Sequence, residues 1–444
     1  MPLSTPSTPL QSSASPGNTR LDYLDATRAF ALVLGIVFHA SLSFMPVFMG
    51  WAVQDISTSP LVSGFMTVSH SFRMETFFLL AGFFSHLNFH HKGAGEFVRS
   101  RGLRLLVPFG AGWFILHPLI ISGWIMGSAS LRGQVKIGAA LLGGFQTLTT
   151  LPAGLFTGSH LWFLYYLALI TALTLAVRGA VNTMGVWQGL IVRRVDALMA
   201  ALAQSPATPV ILAVPTAGAL WFMRIWGMDT PDQSLIPNLP VLAIYGGCFS
   251  LGWLLSRQRE LLIPIAQLKP GRWLLAGIGI TTILWLGEIE RDPGQPHFEA
   301  AHVAYVAGYA LTLWSLVFLT MGVFQRISRK PNAFIRYVAD SSYWMYLIHL
   351  PVVVWLQVAV AELPLHWSLK LAAISTITIG FSLLTYDLFV RSTLIGWLLN
   401  GQHRDRVLLP WLRRLVLQLK HNQQPIPAEG QIKGSQSLSC PYSD

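Results

Sequence analysis

Apolar residues in this chain gather into runs long enough for a hydrocarbon layer, and polar residues gather between the runs. A membrane-spanning helix needs about 20 mostly apolar residues. Ten runs meet or approach that length: 26–48, 62–86, 104–126, 160–178, 209–226, 240–256, 272–288, 302–323, 341–361 and 370–391. The stretch 137–157 is apolar but rich in Gly and Thr and broken by Pro152. It reads as a re-entrant or interfacial segment, because proline interrupts helical hydrogen bonding. The pattern predicts an all-α, polytopic integral membrane protein with about ten transmembrane helices.

The charges between the runs set the expected orientation. Connections after the second, fourth, sixth and eighth runs hold fifteen Lys and Arg, including Lys92, Arg99, Arg101, Arg104, Arg193, Arg194, Arg257 and Arg336. The alternate connections hold five: Arg132, Lys136, Arg224, Arg291 and Lys370. Lys and Arg are retained on the cytoplasmic side, so both termini are predicted to be cytoplasmic. Residues 1–20 are rich in Pro, Ser and Thr, with no basic stretch ahead of a short apolar one. They are expected to be a disordered tail with no cleaved signal peptide. Residues 21–395 form the expected transmembrane domain and 396–444 a cytoplasmic tail. Within that tail an apolar stripe (Val407, Leu408, Leu409, Trp411, Leu412, Leu415, Val416) accompanies Arg404, Arg406, Arg413 and Arg414. That pattern suits an amphipathic helix on an anionic membrane surface.

Composition agrees. Of 444 residues, 53% are hydrophobic and 11% charged, with mean hydropathy +0.52. A soluble domain carries roughly 25% charged residues, so a disordered chain, a nucleic-acid-binding domain and an ordinary cytosolic enzyme are excluded. The net charge of +11 is spread among the connections and makes no basic patch for nucleic acid. Two cysteines, Cys248 and Cys440, cannot build a disulfide framework or a zinc site, and no metal is expected. No repeat of 20–50 residues is visible.

Ionisable residues inside apolar runs are costly, which makes them candidates for function. Arg28 and His39 in the first run are eleven positions apart. At about 100° per residue they fall within about 20° of one face, with His39 about 16 Å further along the axis. Asp25 lies one turn before Arg28. In the second run Arg73 and Glu75 are too close in sequence to share a face. His39 and Glu75 reach similar depth if the two helices are antiparallel, and a carboxylate beside an imidazole makes a general base. The plainer alternatives are a histidine that only bonds across helices and a Glu75 that only pairs with Arg73 or Arg28. Arg101 and Arg104, at i and i+3, suit a phosphate-rich ligand, against the plainer reading of a positive-inside flank. His160, Trp162, Tyr165 and Tyr166 read as an interfacial aromatic belt or a platform for sugar. Tyr346 and His349 share a face of the ninth run, beside Tyr343, and otherwise serve as interhelical glue. His117 and Asp387 read as structural.

With those residues in view, the sequence resembles the membrane-bound acyltransferase-3 family. The first run carries an Arg and, ten intervening residues later, a His, as Arg28 and His39 in LDATRAFALVLGIVFH. The second carries FFLLAGFF, with Ala81 where the family commonly has Ser. The following loop carries an Arg-x-x-Arg pair, Arg101 and Arg104, and SYWMYLIH closes the set. HLWFL and SFRMETFFLLAGFF look most like the glucan-modifying branch. The resemblance covers about residues 20–395. It implies a cytoplasmic acyl-CoA-type donor as co-substrate, met by Arg101 and Arg104, and no bound cofactor. It implies His39 as the catalytic histidine, with Arg28 in support. The expected function is O-acyl transfer, of a succinyl or acetyl group among others, to a hydroxyl of a periplasmic or cell-surface glucan or polysaccharide. The expected location is the bacterial inner membrane. His39 is the expected base, oriented by Glu75. Arg73, His160, Trp162, Tyr346 and His349 are the candidates for oxyanion or acceptor contacts. The competing class is a transporter or flippase for a glycan or small anion, with no covalent chemistry.

Overall fold

The computed structural model describes residues 21–131, 133, 135–149, 159–328, 330–401, 403–407 and 410. The expected tail 1–20, Pro152 and most of the C-terminal apolar stripe lie outside those residues. All regular structure among them is helical. In chain order it comprises α1 (Asp22–Ser41), α2 (Pro60–His70), α3 (Arg73–Lys92), α4 (Ala94–Ala129), α5 (Ile137–Gln146), α6 (Trp162–Asn182), α7 (Val186–Gln204) and α8 (Thr208–Leu220). There follow α9 (Leu239–Arg257), α10 (Leu262–Ile265), α11 (Pro270–Leu286), α12 (Phe298–Ile327), α13 (Ala333–Val360), α14 (Trp367–Thr385) and α15 (Leu394–Asn400). A π turn, Tyr386–Val390, extends α14.

Seven helical segments among the described residues are long and apolar enough to cross a membrane: Asp22–Phe44, Ala94–Ala129, Ser159–Asn182, Leu239–Arg257, Phe298–Ile327, Ala333–Val360 and Trp367–Val390. The pair α7 and α8, bent by 114°, makes an eighth if taken as one span. The difference from ten apolar runs has local causes. The run 62–86 is divided: the Ser71 hydroxyl and amide both turn back on the Val68 carbonyl, at 2.8 and 3.3 Å, and Phe72 leaves helical geometry (φ −137°, ψ −15°). The run 272–288 becomes the 17-residue α11. The run 209–226 is helical only to Leu220, because Asp229 captures the amides of Arg224 and Ile225 at 3.1 and 3.3 Å. Side-chain acceptors of this kind draw backbone donors away from a helix.

Small residues set the closest crossings. A Cβ on Gly82 of α3 would overlap the Phe249 carbonyl of α9, and one on Gly252 of α9 would overlap the Leu79 carbonyl of α3. Such packing suits a membrane interior, where contact takes over from the hydrophobic effect. Beside this pair, α1 packs on α3, α12, α13 and α14. The helices enclose polar side chains that the sequence pattern scattered along separate runs.

Lys370 corrects the reading of the connections. It lies in the first turn of α14, 1% exposed, with its Nζ 2.7 Å from the Asp55 carboxylate, itself 1% exposed. The Ser57 amide also donates to Asp55, at 2.8 Å, and the Asp55 amide reaches the Ser43 carbonyl at 2.8 Å. This pair ties the loop between α1 and α2 to α14. Asp387, set aside as structural, accepts the Val407 amide at 2.9 Å.

Candidate active site

The first half of the site comes from one face of α1. Arg28 and His39 both line a cavity of about 770 Å³ bounded by α1, α2, α3, α4, α6 and α13. Arg101 and Arg104 of α4 join Arg28 and Tyr343 at one end. Ser159, Thr230, Asp232 and Gln233 line the other. α4 runs the full depth: Trp124 also lines the cavity, about 30 Å along the helix from Arg104. Phe77, Leu80, Ala81 and Phe84 of α3 make an apolar wall between the ends.

His39, His160 and His349 meet where the two halves join. The His39 ring centroid lies 5.3 Å from that of His349, which lies 5.8 Å from that of His160. The break between α2 and α3 brings two more polar groups in. His70, in the last turn of α2, and Arg73, in the first turn of α3, both line the cavity.

Hydrogen bonds fix which atoms remain available. His349 Nδ1 donates to the Tyr346 carbonyl at 2.7 Å, because a carbonyl only accepts, so the neutral ring presents a bare Nε2. His160 Nε2 likewise donates to the Leu347 carbonyl at 2.8 Å, leaving Nδ1 to accept from the Ser159 hydroxyl at 3.3 Å. The Tyr346 hydroxyl donates to the His160 carbonyl at 2.6 Å. These three hydrogens are therefore committed to the protein. Arg73 differs: its Nε and one Nη are buried without a hydrogen-bond partner among the described residues. Its guanidinium lies 4.1 Å above the Phe38 ring, against Gly35. Buried donors left unpaired are costly, and at this depth Arg73 has N–H groups to spare. Trp162 lines the cavity and stacks on Tyr245 at 5.7 Å.

Glu75 does not stand beside His39. Neither of its oxygens has a hydrogen-bond partner among the described residues, and neither does His39 Nδ1. It is fully buried behind the cavity wall, with Arg73, Tyr245, Cys248 and Tyr309 as its polar neighbours. The two-residue spacing from Arg73 forces this: once Arg73 turns into the cavity, Glu75 turns toward α9 and α12.

The orientation of His39 has another source. The Gln357 amide of α13 donates to the carbonyls of His39 and Ala40 at 2.9 and 3.0 Å. Carbonyls at a helix C-terminus lack intrahelical partners, so this contact holds the end of α1. The Gln357 carbonyl oxygen accepts from Trp51 Nε1 at 2.9 Å, and the Trp51 ring stacks on His39 at 5.8 Å. Both residues escaped the sequence reading, although a glutamine inside the apolar run 341–361 was a signal. Replacing Gln357 with Leu is expected to lower turnover about tenfold or more, since small displacements of a catalytic group are costly. Wild-type turnover in Gln357→Glu, which keeps the shape and loses the N–H donor, would show that only packing matters there.

At the arginine end, Arg28 meets Asp25 at 3.2 Å and donates to the Ala339 carbonyl at 3.0 Å. This joins α1 to α13. Arg101 donates to the Ser85 hydroxyl, and the Tyr343 hydroxyl donates to the Arg104 carbonyl. Two guanidinium groups one turn apart have the chemistry that suits an anion. Among the described residues no cluster of His, Cys, Asp and Glu has the arrangement of a metal site.

Comparison with known proteins gives a family match over most of the chain. The profile of a family described as an acyltransferase domain, acyltransferase-3, matches residues 21–387. Curated relatives include Glucans biosynthesis protein C of Shigella dysenteriae serotype 1 (strain Sd197), 30% identical over 153 residues. The protein of the same name from Escherichia coli (strain K12) is 29% identical over 153 residues. Each match spans 34% of this chain and 37% of the relative. No solved structure matches.

Proposed function

Because the chain belongs to the acyltransferase-3 family, we propose that it moves an acyl group from an acyl-CoA-type donor to a hydroxyl of a glucan or other polysaccharide. The observation that carries this reading is one cavity with two unlike ends and a cluster of imidazoles and Arg73 between them. The arginine end suits the donor's phosphates. The charge asymmetry of the connections supports the cytoplasmic side for it, with both termini on that side. The location is then the inner membrane, with the acceptor at the other face near His160 and Trp162. Succinyl and acetyl are the acyl groups to try first.

The chemistry follows from the committed atoms. A sugar hydroxyl is a poor nucleophile until a base takes its proton. His39 takes that proton as the hydroxyl oxygen attacks the thioester carbonyl carbon. Negative charge gathers on the carbonyl oxygen, where the unpaired N–H groups of Arg73 receive it. The carbon–sulfur bond breaks, and the thiolate leaves with the proton that His39 held. Arg28 supports the donor and joins α1 to α13.

Replacing Arg101 and Arg104 with Gln tests the donor end. The donor KM is expected to rise roughly tenfold to a hundredfold, as for loss of hydrogen bonds to charged groups, and more than the acceptor KM. Kinetics with labelled acyl-CoA and a gluco-oligosaccharide read both constants. An acceptor KM that rises more than the donor KM contradicts the assignment.

A further inference from the structure

The end of the cavity away from the arginines has a chemistry of its own. Thr230 and Gln233 are exposed and Asp232 is half-buried, all on one loop between α8 and α9. That loop is held from several sides. Asp229 accepts from the amides of Arg224 and Ile225 and from the Asn238 side chain, at 3.1, 3.3 and 3.2 Å. The Ser159 amide donates to the Asp232 carbonyl at 3.0 Å, and His70 Nε2 lies 3.3 Å from the Thr230 hydroxyl. The side chains that line the mouth therefore sit on a fixed backbone, which lowers the ordering cost of binding. Across the mouth stands Trp124 of α4, edge-on to Trp51 at 5.2 Å, and Trp51 in turn covers His39.

We infer that this mouth is a subsite for an uncharged, hydroxyl-rich carbohydrate, bound by Asp232, Gln233 and Thr230 and stacked on Trp124. The inference rests on the transferase reading only for its purpose, which is to bring a hydroxyl to His39. Each sugar hydroxyl both donates and accepts. Asp232 accepts, Gln233 does both, and Thr230 does both, so neighbouring hydroxyls find complementary partners. Trp124 supplies an apolar face for the carbon–hydrogen side of a pyranose, in keeping with sites that combine aromatic walls and a few polar groups. Arg224 faces the Asp232 carboxyl group and the Gln233 side chain hydrogen-bonds it, so this mouth offers balanced polar partners to a neutral sugar, whereas the arginine end favours anions.

The test is calorimetric titration of the full chain in lipid nanodiscs with a β-linked gluco-oligosaccharide, without donor. The wild type is expected to bind. Asp232→Asn, Gln233→Ala and Trp124→Ala are each expected to weaken binding about tenfold, in line with one lost hydrogen bond to a charged group or one lost stacking face. A sulfated oligosaccharide of the same length should bind more weakly than the neutral one. Trp187→Ala, on an exposed face of α7, should bind as wild type. Gln233 is exposed, so its variant answers the question if the Trp124 variant fails to fold. Unchanged affinity in Gln233→Ala and Asp232→Asn overturns the subsite, as does tighter binding of the sulfated sugar. A wild type that cleaves acyl-CoA and does not bind the neutral sugar also overturns it and leaves the transferase reading standing. Sugar binding without acyl transfer supports the subsite and sinks the transferase reading.

Discussion

His39→Ala is expected to cut acyl transfer by roughly a hundredfold to ten-thousandfold, the usual contribution of a positioned general base. Initial rates in membranes with matched protein amounts check it. The donor KM should change little, because the guanidinium groups proposed to meet the donor lie near Arg28, about 16 Å away along α1. The loss should appear in turnover. Arg73→Gln should fall the same way, since it removes charge that meets the transition state only. The neighbouring His349 does not replace His39 in this account. The Nδ1 of His349 donates to the Tyr346 carbonyl at 2.7 Å and its Nε2 is bare, but the stacking of Trp51 and the hold of Gln357 act on His39.

Lys370→Met is expected to destabilise the protein by about 3–5 kcal/mol, because it leaves the Asp55 carboxylate buried with no counter-charge. The midpoint of thermal inactivation in detergent should fall by several degrees. Asp55→Leu combined with Lys370→Met should recover most of that loss, since replacing both partners of a buried pair by apolar groups is often neutral. A double variant no more stable than the single one would show that the pair is more than an electrostatic tie. The loop it holds, between α1 and α2, carries Trp51. The single variant should therefore lose turnover at temperatures where it is still folded.

Much of the site was readable from spacing. Arg28 and His39 share a face because eleven residues close to three helical turns, and the cavity indeed contains both. The three-residue spacing of Arg101 and Arg104 put both on one side of α4, where both line the same end. Depth along a helix and angle around it are local quantities, so one sequence suffices for them. The partner of a residue on another helix is not local. The two-residue spacing of Arg73 and Glu75 said that they diverge, but not which of the two enters the cavity. That choice depends on the Gly82–Gly252 crossing that presses α3 against α9. Gln357 was hidden in an apolar run because its partners, His39 and Trp51, lie some three hundred residues away. Lys370 looked like a charge in a connection, since nothing nearby in sequence announces Asp55. The break at Ser71–Phe72 was invisible to hydropathy, because a side-chain turn costs no apolar residues.

The central claim is that one cavity lets His39 take the proton of a polysaccharide hydroxyl as that hydroxyl accepts an acyl group. Mass spectrometry of glucans from cells lacking the native gene and supplied with wild-type or His39→Ala chain tests it most directly, at equal membrane levels of the two proteins. Glucans from wild-type cells should carry the added mass of an acyl ester, and those from the His39→Ala cells should not. Identical glucan masses in the two strains would contradict the claim.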